Sequence, residues 1–181
     1  MVFKECENIS LHKFGLQDIE KKVEWINNPH NNKYLHYDLP LRVDRTAQWF
    51  EKVKDVKSRI DAVITYDNIP VGLIGLLNID DTNKKAEFYI CIGEESAKGC
   101  GIAKKASMLL LDYAFNELYL NKVYLYTEQE NVPAQKLFEK LGFKKEGLFE
   151  HDLIYNGRFV NRYAYSLLQE AYRNDFTYSN R

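Results

Sequence analysis

The apolar residues in the first third of the chain predict one strand and two helices. A strand is predicted at residues 9–14, and the helix after it has apolar side chains at helical spacing: Leu16, Ile19, Val23 and Ile26. Asn27 and Asn28, which stand before Pro29, indicate the end of that helix. Residues 30–42 are rich in Asn, His and Tyr and are predicted to form a loop before a second helix at residues 44–53.

The middle of the chain predicts a hairpin, a third strand, a helix and another strand. Two β-branched runs, residues 59–65 and 71–79, flank an Asp-Asn-Ile-Pro connection and read as a hairpin. Residues 85–93 form the next strand, and residues 121–127 form another. The amphipathic helix between them carries one apolar face, made of Ile102, Ala106, Leu109, Leu110, Tyr113 and Ala114.

The last third predicts a short helix at residues 131–142 and a second hairpin. Asn131 is the expected N-cap, and Gly142 the expected left-handed terminator. Two strands, residues 143–155 and 157–168, meet at Asn156 and Gly157, a tight-turn signal. The order β-α-α-β-β-β-α-β-α-β-β implies an α+β fold, because the central strand–helix–strand unit pairs in parallel and the hairpins pair antiparallel.

The composition of the chain argues against several functional classes. The 181 residues fit a single domain, residues 1–181, and a formal charge of −1 provides no basic field for nucleic acid or an anionic membrane. No apolar run approaches the roughly 20 residues that span a bilayer. Three scattered cysteines and four histidines show neither a disulfide framework nor metal-ligand spacing. We therefore expect a cytoplasmic, metal-free protein, and the sequence leaves a homo-oligomer open.

The glycines at 99 and 101 precede a helix, and three phosphate-binding loops compete for them. The nucleoside-triphosphate loop fails because no Lys-Ser or Lys-Thr follows a suitable glycine pair. The dinucleotide fingerprint fails because Lys104 stands where a third small residue belongs. The segment from Lys98 to Ala103 resembles the pyrophosphate loop of acetyl-coenzyme A enzymes, [QR]-x-x-G-x-[GA], with Lys in the first place. Small residues and a helix N-terminus suit a diphosphate.

A second motif lies about 30 residues downstream of this loop. Residues 131–143, NVPAQKLFEKLGF, resemble N-x-x-A-x-x-[LI]-[YF]-E-K-x-G-F of the GNAT superfamily of N-acetyltransferases. Residues 25–29 and 155–168 are similar to the branch that holds ribosomal-protein, spermidine and amino-sugar N-acetyltransferases. The resemblance implies the GNAT fold, a mixed, mostly antiparallel sheet with a splayed parallel strand pair, flanked by helices.

The resemblance also implies a set of residues that bind acetyl-coenzyme A. Backbone groups of one strand would hold the pantetheine arm, namely those of Ile90, Cys91 and Ile92. The pyrophosphate would lie on the loop made of Lys98, Gly99, Cys100, Gly101, Ile102 and Ala103, with Lys98, Lys104 and Lys105 adding mobile positive charge. Asn131, Ala134 and Phe138 would lie beside the arm. Helix capping explains Asn131 equally well, and core packing explains Ala134 and Phe138.

The implied reaction is direct transfer of an acetyl group to a primary amine. An amine with a pKa near 10 is only about 0.1% neutral at pH 7, so a base is required. Glu87 is the candidate base, acting through water, on the same strand face as Tyr89 and Cys91. An ion pair with Lys84 or Lys85 is the alternative role for Glu87. Cys100 is expected to be a tolerated small residue and not a nucleophile.

Phe138 departs from the family pattern, since many members have a Tyr there whose hydroxyl is proposed to protonate the departing thiolate. Tyr126 or Tyr163 could replace it, or the thiolate leaves without a dedicated acid, because thiols have a pKa near 8.5. The same departure leaves open a non-catalytic acetyl-coenzyme A sensor.

The sequence leaves the chemical identity of the amine acceptor open. Several carboxylates could serve a polyamine: Asp38, Glu128, Glu130, Glu150 and Asp152. The Asn, His and Tyr side chains of residues 30–42 suit an amino sugar, including a nucleotide-linked one, with Arg42 or Arg45 available to a phosphate. A plain surface connection explains the same loop. Protein N-terminal α-amines are a third acceptor class.

Overall fold

A computed structural model describes residues 2–172, in which a single eight-stranded sheet runs through the molecule. Its strands are β1 (Val2–Cys6), β2 (Ile9–Lys13), β3 (Ile60–Tyr66), β4 (Ile69–Asp80), β5 (Lys85–Ile92), β6 (Lys122–Glu128), β7 (Lys144–Tyr155) and β8 (Arg158–Leu168). The helices are α1 (Ile19–Asn27), α2 (Pro29–Asn32), α3 (Val43–Val53), α4 (Ile102–Asn116) and α5 (Val132–Lys140). The domain predicted at residues 1–181 extends beyond the described residues at both ends.

The sheet order is β1-β2-β3-β4-β5-β6-β8-β7, and β5 and β6 form its parallel pair. Every other neighbouring pair is antiparallel. This confirms the predicted fold class, including the parallel pair formed around α4.

Most predicted elements are confirmed, and so are their end signals. The Asn131 carboxamide oxygen accepts from the Ala134 N–H, and Gly142 has φ of 85°. The tight turn at Asn156 and Gly157 has φ of 48° and 73°, as a two-residue hairpin requires. The last hairpin therefore has the register that its turn residues predict.

Three features differ from the sequence prediction. An edge strand, β1, precedes the strand that was predicted to be first, and it was missed because its turn at Glu7 contains no glycine, although φ there is 55°. Leu16 was placed on the apolar helix face, but it lies in a 3-10 turn before α1 and is 57% exposed. The predicted loop also begins with the short helix α2, which Asn28 caps.

The core divides between the two faces of the sheet. On one face, α4 and α5 cover the larger cluster, which includes Phe88, Leu110, Phe138 and Tyr165. On the other, α1 and α3 cover a smaller cluster that includes Trp25 and is lined by Tyr89 and Cys91. Each fully buried large apolar side chain contributes about 1.5–3 kcal/mol. Alternate residues of β5 therefore face different layers, as predicted.

Candidate active site

The parallel strands β5 and β6 separate shortly after they begin. Their register contains only three pairs, Lys85 with Lys122, Ala86 with Val123 and Glu87 with Tyr124. Beyond Glu87, β5 stays paired with β4, through Ile90, Cys91 and Ile92, while its other edge has left β6. This leaves backbone groups of a strand edge available to an extended ligand, and the residues predicted to hold the pantetheine arm lie on this edge.

The loop before α4 has the geometry of an anion cradle. Gly99 and Gly101 have φ of 74° and 79°, and a Cβ added at either would meet no atom within 4 Å. Within residues 2–172, no acceptor is bonded to the backbone N–H groups of residues 99–103. Ile102 is buried and fixes the start of the 15-residue α4, whose N-terminus adds partial positive charge. These residues fit a pyrophosphate.

The lysines of this region are less mobile than predicted. The Lys98 ammonium donates to the Asn31 side-chain oxygen at 2.6 Å and to Glu95 at 2.7 Å. Lys105 pairs with Glu7. The Asn31 amide nitrogen also donates to the carbonyls of Trp25 and Gly93, so this α2 residue ties the loop before α4 to α1 and to the end of β5. Lys98 thus supports the loop from one side, and Lys104 stays exposed.

The residues predicted on α5 divide between cap and core. The Asn131 oxygen caps α5, and Ala134 is half-buried beside the larger cluster. Phe138 is 6% exposed and contacts the rings of Phe88, Phe143 and Tyr165. The ring at the position usually held by Tyr is therefore part of the core.

Glu87 stands where the two strands part. Its carboxylate accepts from the Asn78 amide at 2.9 Å, and no ion pair of Glu87 with Lys84 or Lys85 occurs among the described residues. Its register partner Tyr124 was not predicted. Burial, and next to it the charge of Glu87, raises the pKa of Tyr124, while a hydrogen bond with Asn78 opposes the shift. The position of the Tyr124 hydroxyl beside Glu87 follows only from the pairing register of β5 and β6.

The predicted hydroxyls lie on opposite faces of the sheet. Tyr126 is 36% exposed, on the Glu87 face, between the rings of Tyr124 and Phe149. Tyr163 is opposite Thr127 and packs against the larger cluster, so it is on the other face. Tyr124 and Tyr126 therefore share the side of the sheet that carries Glu87.

Neither cysteine of the site is placed as a nucleophile. Burial raises the pKa of the Cys91 thiol to about 11, so it is protonated at neutral pH. Cys100 is exposed, and its Sγ lies 3.5–3.6 Å from the carbonyls of Lys98 and Ser96. Both observations are compatible with direct transfer.

A cavity of about 670 Å³ opens on the Glu87 face. Its walls come from α1, the loop after α2, α3 and strands β3 to β5, and Glu87, Ile90 and Cys91 line one side. Asp38 and Arg45 were proposed for the acceptor and also line it. The volume lies within the range of small-molecule sites. The cavity therefore adjoins the open edge of β5. We call it the acceptor cavity, because it is where we propose below that the acceptor binds.

The inner wall of the acceptor cavity contains an ionic group that was not predicted. Arg59 donates to both Asp61 oxygens at 2.6 and 2.8 Å, and the Tyr89 hydroxyl donates to Asp61 at 2.7 Å. Burial would raise the pKa of Asp61, but these hydrogen bonds hold it below its ordinary value. Burial and the Asp61 charge raise the pKa of Tyr89 well above 10. Strand periodicity alone does not show that β3 and β5 side chains meet.

A buried lysine lies beside this group. Lys22 of α1 is 7% exposed, and its ammonium lies 3.5 Å from the centre of the Trp49 ring. Burial lowers the pKa of Lys22 to about 8. It was missed because a lysine in an amphipathic helix normally reads as a surface residue.

The other charged candidates mostly have partners. Glu128 bonds His36 at 2.7 Å, Asp152 pairs with Arg162, and Arg42 with Asp44. Glu130 and Glu150 are exposed. Of the five carboxylates proposed for a polyamine, Asp38 lines the acceptor cavity and the other four do not; Asp61 and Glu87 are further carboxylates of its wall.

Two features are absent from the described part of the chain. No group of three or more His, Cys, Asp or Glu side chains there could hold a metal ion. No helix among residues 2–172 is long and apolar enough to cross a membrane.

Comparison with known proteins agrees with this geometry. A family model described as an acetyltransferase (GNAT) domain matches residues 8–144. The spermidine N(1)-acetyltransferase of Escherichia coli K12 is 36% identical over 90% of both chains. A putative ribosomal N-acetyltransferase of Bacillus subtilis is 31% identical over 95% of this chain and 97% of its own.

Solved structures agree as well. A Vibrio cholerae spermidine N-acetyltransferase, crystallised with coenzyme A and spermine, superimposes with a TM-score of 0.84 at 27% identity. The superposition covers 91% of this chain and 98% of that one. Since the family model spans most of the chain and a relative with 36% identity covers 90% of it, the protein is a member of the GNAT acetyltransferase family.

Proposed function

We propose that this protein transfers the acetyl group of acetyl-coenzyme A directly to a primary amine of a small molecule held in the acceptor cavity. One observation carries the proposal. The open edge of β5 connects the free N–H groups before α4 to a cavity with Glu87 at its rim. A cofactor lying along that edge would therefore bring its thioester to the acceptor.

The chain's own residues would hold the cofactor in three places. N–H groups of residues 99–103 would bind the pyrophosphate, with the N-terminus of α4 behind them. Backbone groups around Ile90, Cys91 and Ile92 would pair with the arm, and Ala134 would pack beside it. Asn131 has its oxygen in the helix cap, so its amide nitrogen is the group available to the arm. Acetyl-coenzyme A supplies the activated acetyl thioester.

Glu87 would accept the proton of the acceptor ammonium through a water molecule. The Asn78 amide fixes one carboxylate oxygen and leaves the other for this task. A backbone N–H of β5 would polarise the thioester carbonyl, which requires no side chain. Glu87 therefore acts on the amine, and the strand edge acts on the acyl group.

Phe138 has no hydroxyl, so a tyrosine of β6 would protonate the departing thiolate. Tyr124 and Tyr126 lie on the Glu87 face, and Tyr124 is the register partner of Glu87. The raised pKa of Tyr124 keeps its proton in place at neutral pH. We assign the donor role first to Tyr124 and second to Tyr126.

A polyamine is one specific candidate for this acceptor, because the chain is similar to spermidine N-acetyltransferases. The test measures coenzyme A release with three acceptor classes: spermidine, amino sugars with their nucleotide-linked forms, and peptides with free N-termini. Release with one class identifies the acceptor. If acetyl-coenzyme A raises the melting temperature but neither these classes nor any other amine supports release, the protein binds the cofactor without transferring its acetyl group, and the proposal is wrong.

A further inference from the structure

We infer that the inner end of the acceptor cavity is a binding site for an anionic group, a carboxylate or a phosphate, on the acceptor itself. The inference rests on the proposed function and narrows it, because the acceptor would then carry an amine at one end and an anion at the other. Lys22, Trp49 and Arg59 form this site, which we call the anion subsite.

Lys22 is the observation that carries the inference. It lines the acceptor cavity, yet its residue surface is 93% buried, the complement of its 7% exposure. Among residues 2–172 its ammonium has neither a hydrogen-bond acceptor nor an ion-pair partner; its close contacts are with the rings of Trp49 and Phe14. No buried side-chain nitrogen or oxygen among the described residues lacks a hydrogen-bond partner, so the Lys22 nitrogen, which has none, is open to the cavity. Its three N–H donors are therefore available to a ligand acceptor that enters the cavity.

The charges around Lys22 favour a negative ligand. Arg59 lies over the same Trp49 ring at 5.1 Å, and Asp61 is already engaged by Arg59 and Tyr89. Two cations and one carboxylate leave a formal charge of +1 at this end. Arg45, one helical turn from Trp49 on α3, is a third cation of the cavity wall, and Asp38 lines the same cavity with the opposite charge.

The position of Glu87 gives the ligand its orientation. Asp61 on β3 and Tyr89 on β5 are both paired with Gly75 of β4, so the subsite lies two strands from the β5 edge. At about 4.8 Å between strands, this separation is about 10 Å. An amine beside Glu87 and an anion beside Lys22 both meet groups of opposite charge. The second ammonium of a polyamine would instead face Lys22 and Arg59.

The ionisation of Lys22 is compatible with this role. Burial lowers its pKa to about 8, while Asp61 opposes the shift and Arg59 adds to it. The charged groups that act on it are Asp61 of β3 and Arg59, which directly precedes β3. Arg45 and Asp38 line the same cavity. At pH 7 the amine is still mostly protonated, and a bound anion would raise its pKa further.

The first experiment compares matched acceptors by kcat/KM. Glucosamine 6-phosphate is compared with glucosamine, and 5-aminopentanoate with 5-amino-1-pentanol, so that the two arms separate a phosphate from a carboxylate. We expect a preference of at least tenfold for the anionic member of one pair, falling to about one in Lys22→Met. Lys21→Met is the matched control, because it removes the neighbouring, partly exposed cation, which pairs with Glu24 and Glu94 and does not line the cavity, and should keep the preference. Equal rates within both pairs, or a preference that survives Lys22→Met, would overturn the inference.

A binding measurement decides the matter if none of these four amines is acetylated. Saturating coenzyme A first fills the pyrophosphate loop. Inorganic phosphate or acetate, at about 10 mM so that even a millimolar Kd gives a measurable stabilisation, is then compared with chloride at equal ionic strength. One of the two anions should raise the melting temperature of the parent protein and Lys21→Met, but not of Lys22→Met. No shift with either anion contradicts the subsite. The proposed acetyl transfer is judged separately, by release with any amine.

Discussion

The hydroxyl of Tyr89 donates to Asp61 at 2.7 Å by passing over Gly75, which lies between them on β4. A Cβ at Gly75 would come within 2.4 Å of the Tyr89 ring and 2.3 Å of the Ile60 carbonyl oxygen. The floor of the acceptor cavity therefore depends on a residue without a side chain.

Gly75→Ala should lower the free energy of unfolding by about 1–3 kcal/mol, the usual cost of overpacking a core. The added methyl meets a backbone oxygen, which cannot move aside as a flexible side chain can. Urea unfolding followed by circular dichroism measures the change. Gly147→Ala on β7 is the control, because its Cβ would meet no atom within 4 Å. Equal effects of the two substitutions would show that the close approach at Gly75 is not a constraint.

Lys22→Met should make the protein more stable at neutral pH. The pKa of Lys22 is about 8 in the fold against 10.5 for a free lysine, a difference of about 3 kcal/mol. The unfolded chain binds this proton more tightly, so the stability of the parent protein should rise with pH between 8 and 10.5. The gain of Lys22→Met should therefore be largest at pH 7 and shrink towards pH 10. A gain independent of pH would indicate that the ammonium is not desolvated.

Glu87→Gln should lower kcat by about 10²-fold, the lower range for loss of a general base. The amide keeps the hydrogen bond from Asn78, so the fold and the affinity for coenzyme A should change little. Steady-state kinetics and calorimetric titration measure the two quantities. Glu150→Gln, at an exposed position, is the control. Equal losses in turnover and cofactor affinity would remove Glu87 from the proton transfer.

Gly101→Asp should weaken coenzyme A binding by at least about 100-fold, a coupling of roughly 3 kcal/mol. The carboxylate would repel the pyrophosphate at the N-terminus of α4, where an acidic residue otherwise stabilises a helix. Gly101→Asn has nearly the same shape, and Asn tolerates the φ of 79° better than most residues. Asn should therefore retain much more affinity. Similar losses with Asp and Asn would point to backbone strain instead of charge.

Tyr124→Phe should reduce kcat by about tenfold or more, and Tyr126→Phe by less, if the thiolate takes its proton from β6. Both variants keep the aromatic contact between these two rings. Single-turnover rates with the identified acceptor measure the chemical step. Unchanged rates in both would mean that the thiolate leaves without a dedicated acid.

The sequence predicts the fold here because its signals are local and agree with one another. Asn131 as a cap, Gly142 as a terminator and the Asn156–Gly157 turn each act within a few residues. Glu87, Gly99 and Gly101 could be found in the same way, since a motif or a strand start marks each of them.

The acceptor site could not be predicted to the same extent. Lys22, Asp61 and Tyr89 come from three separate elements, and their meeting depends on how α1 lies on the sheet and on the space above Gly75. Tyr124 depends on the register of β5 and β6, which no hairpin turn defines. Lys98 was read as a free cation because its partner Asn31 is 67 residues away.

The Asn31 side chain links the loop before α4 to the elements that border the acceptor cavity. Its oxygen accepts from Lys98 in that loop, while its nitrogen donates to the carbonyls of Trp25, near the end of α1, and of Gly93, directly after β5. Any coupling that this carboxamide carries between coenzyme A and the acceptor is reciprocal. Each ligand would then change the affinity of the other by the same factor.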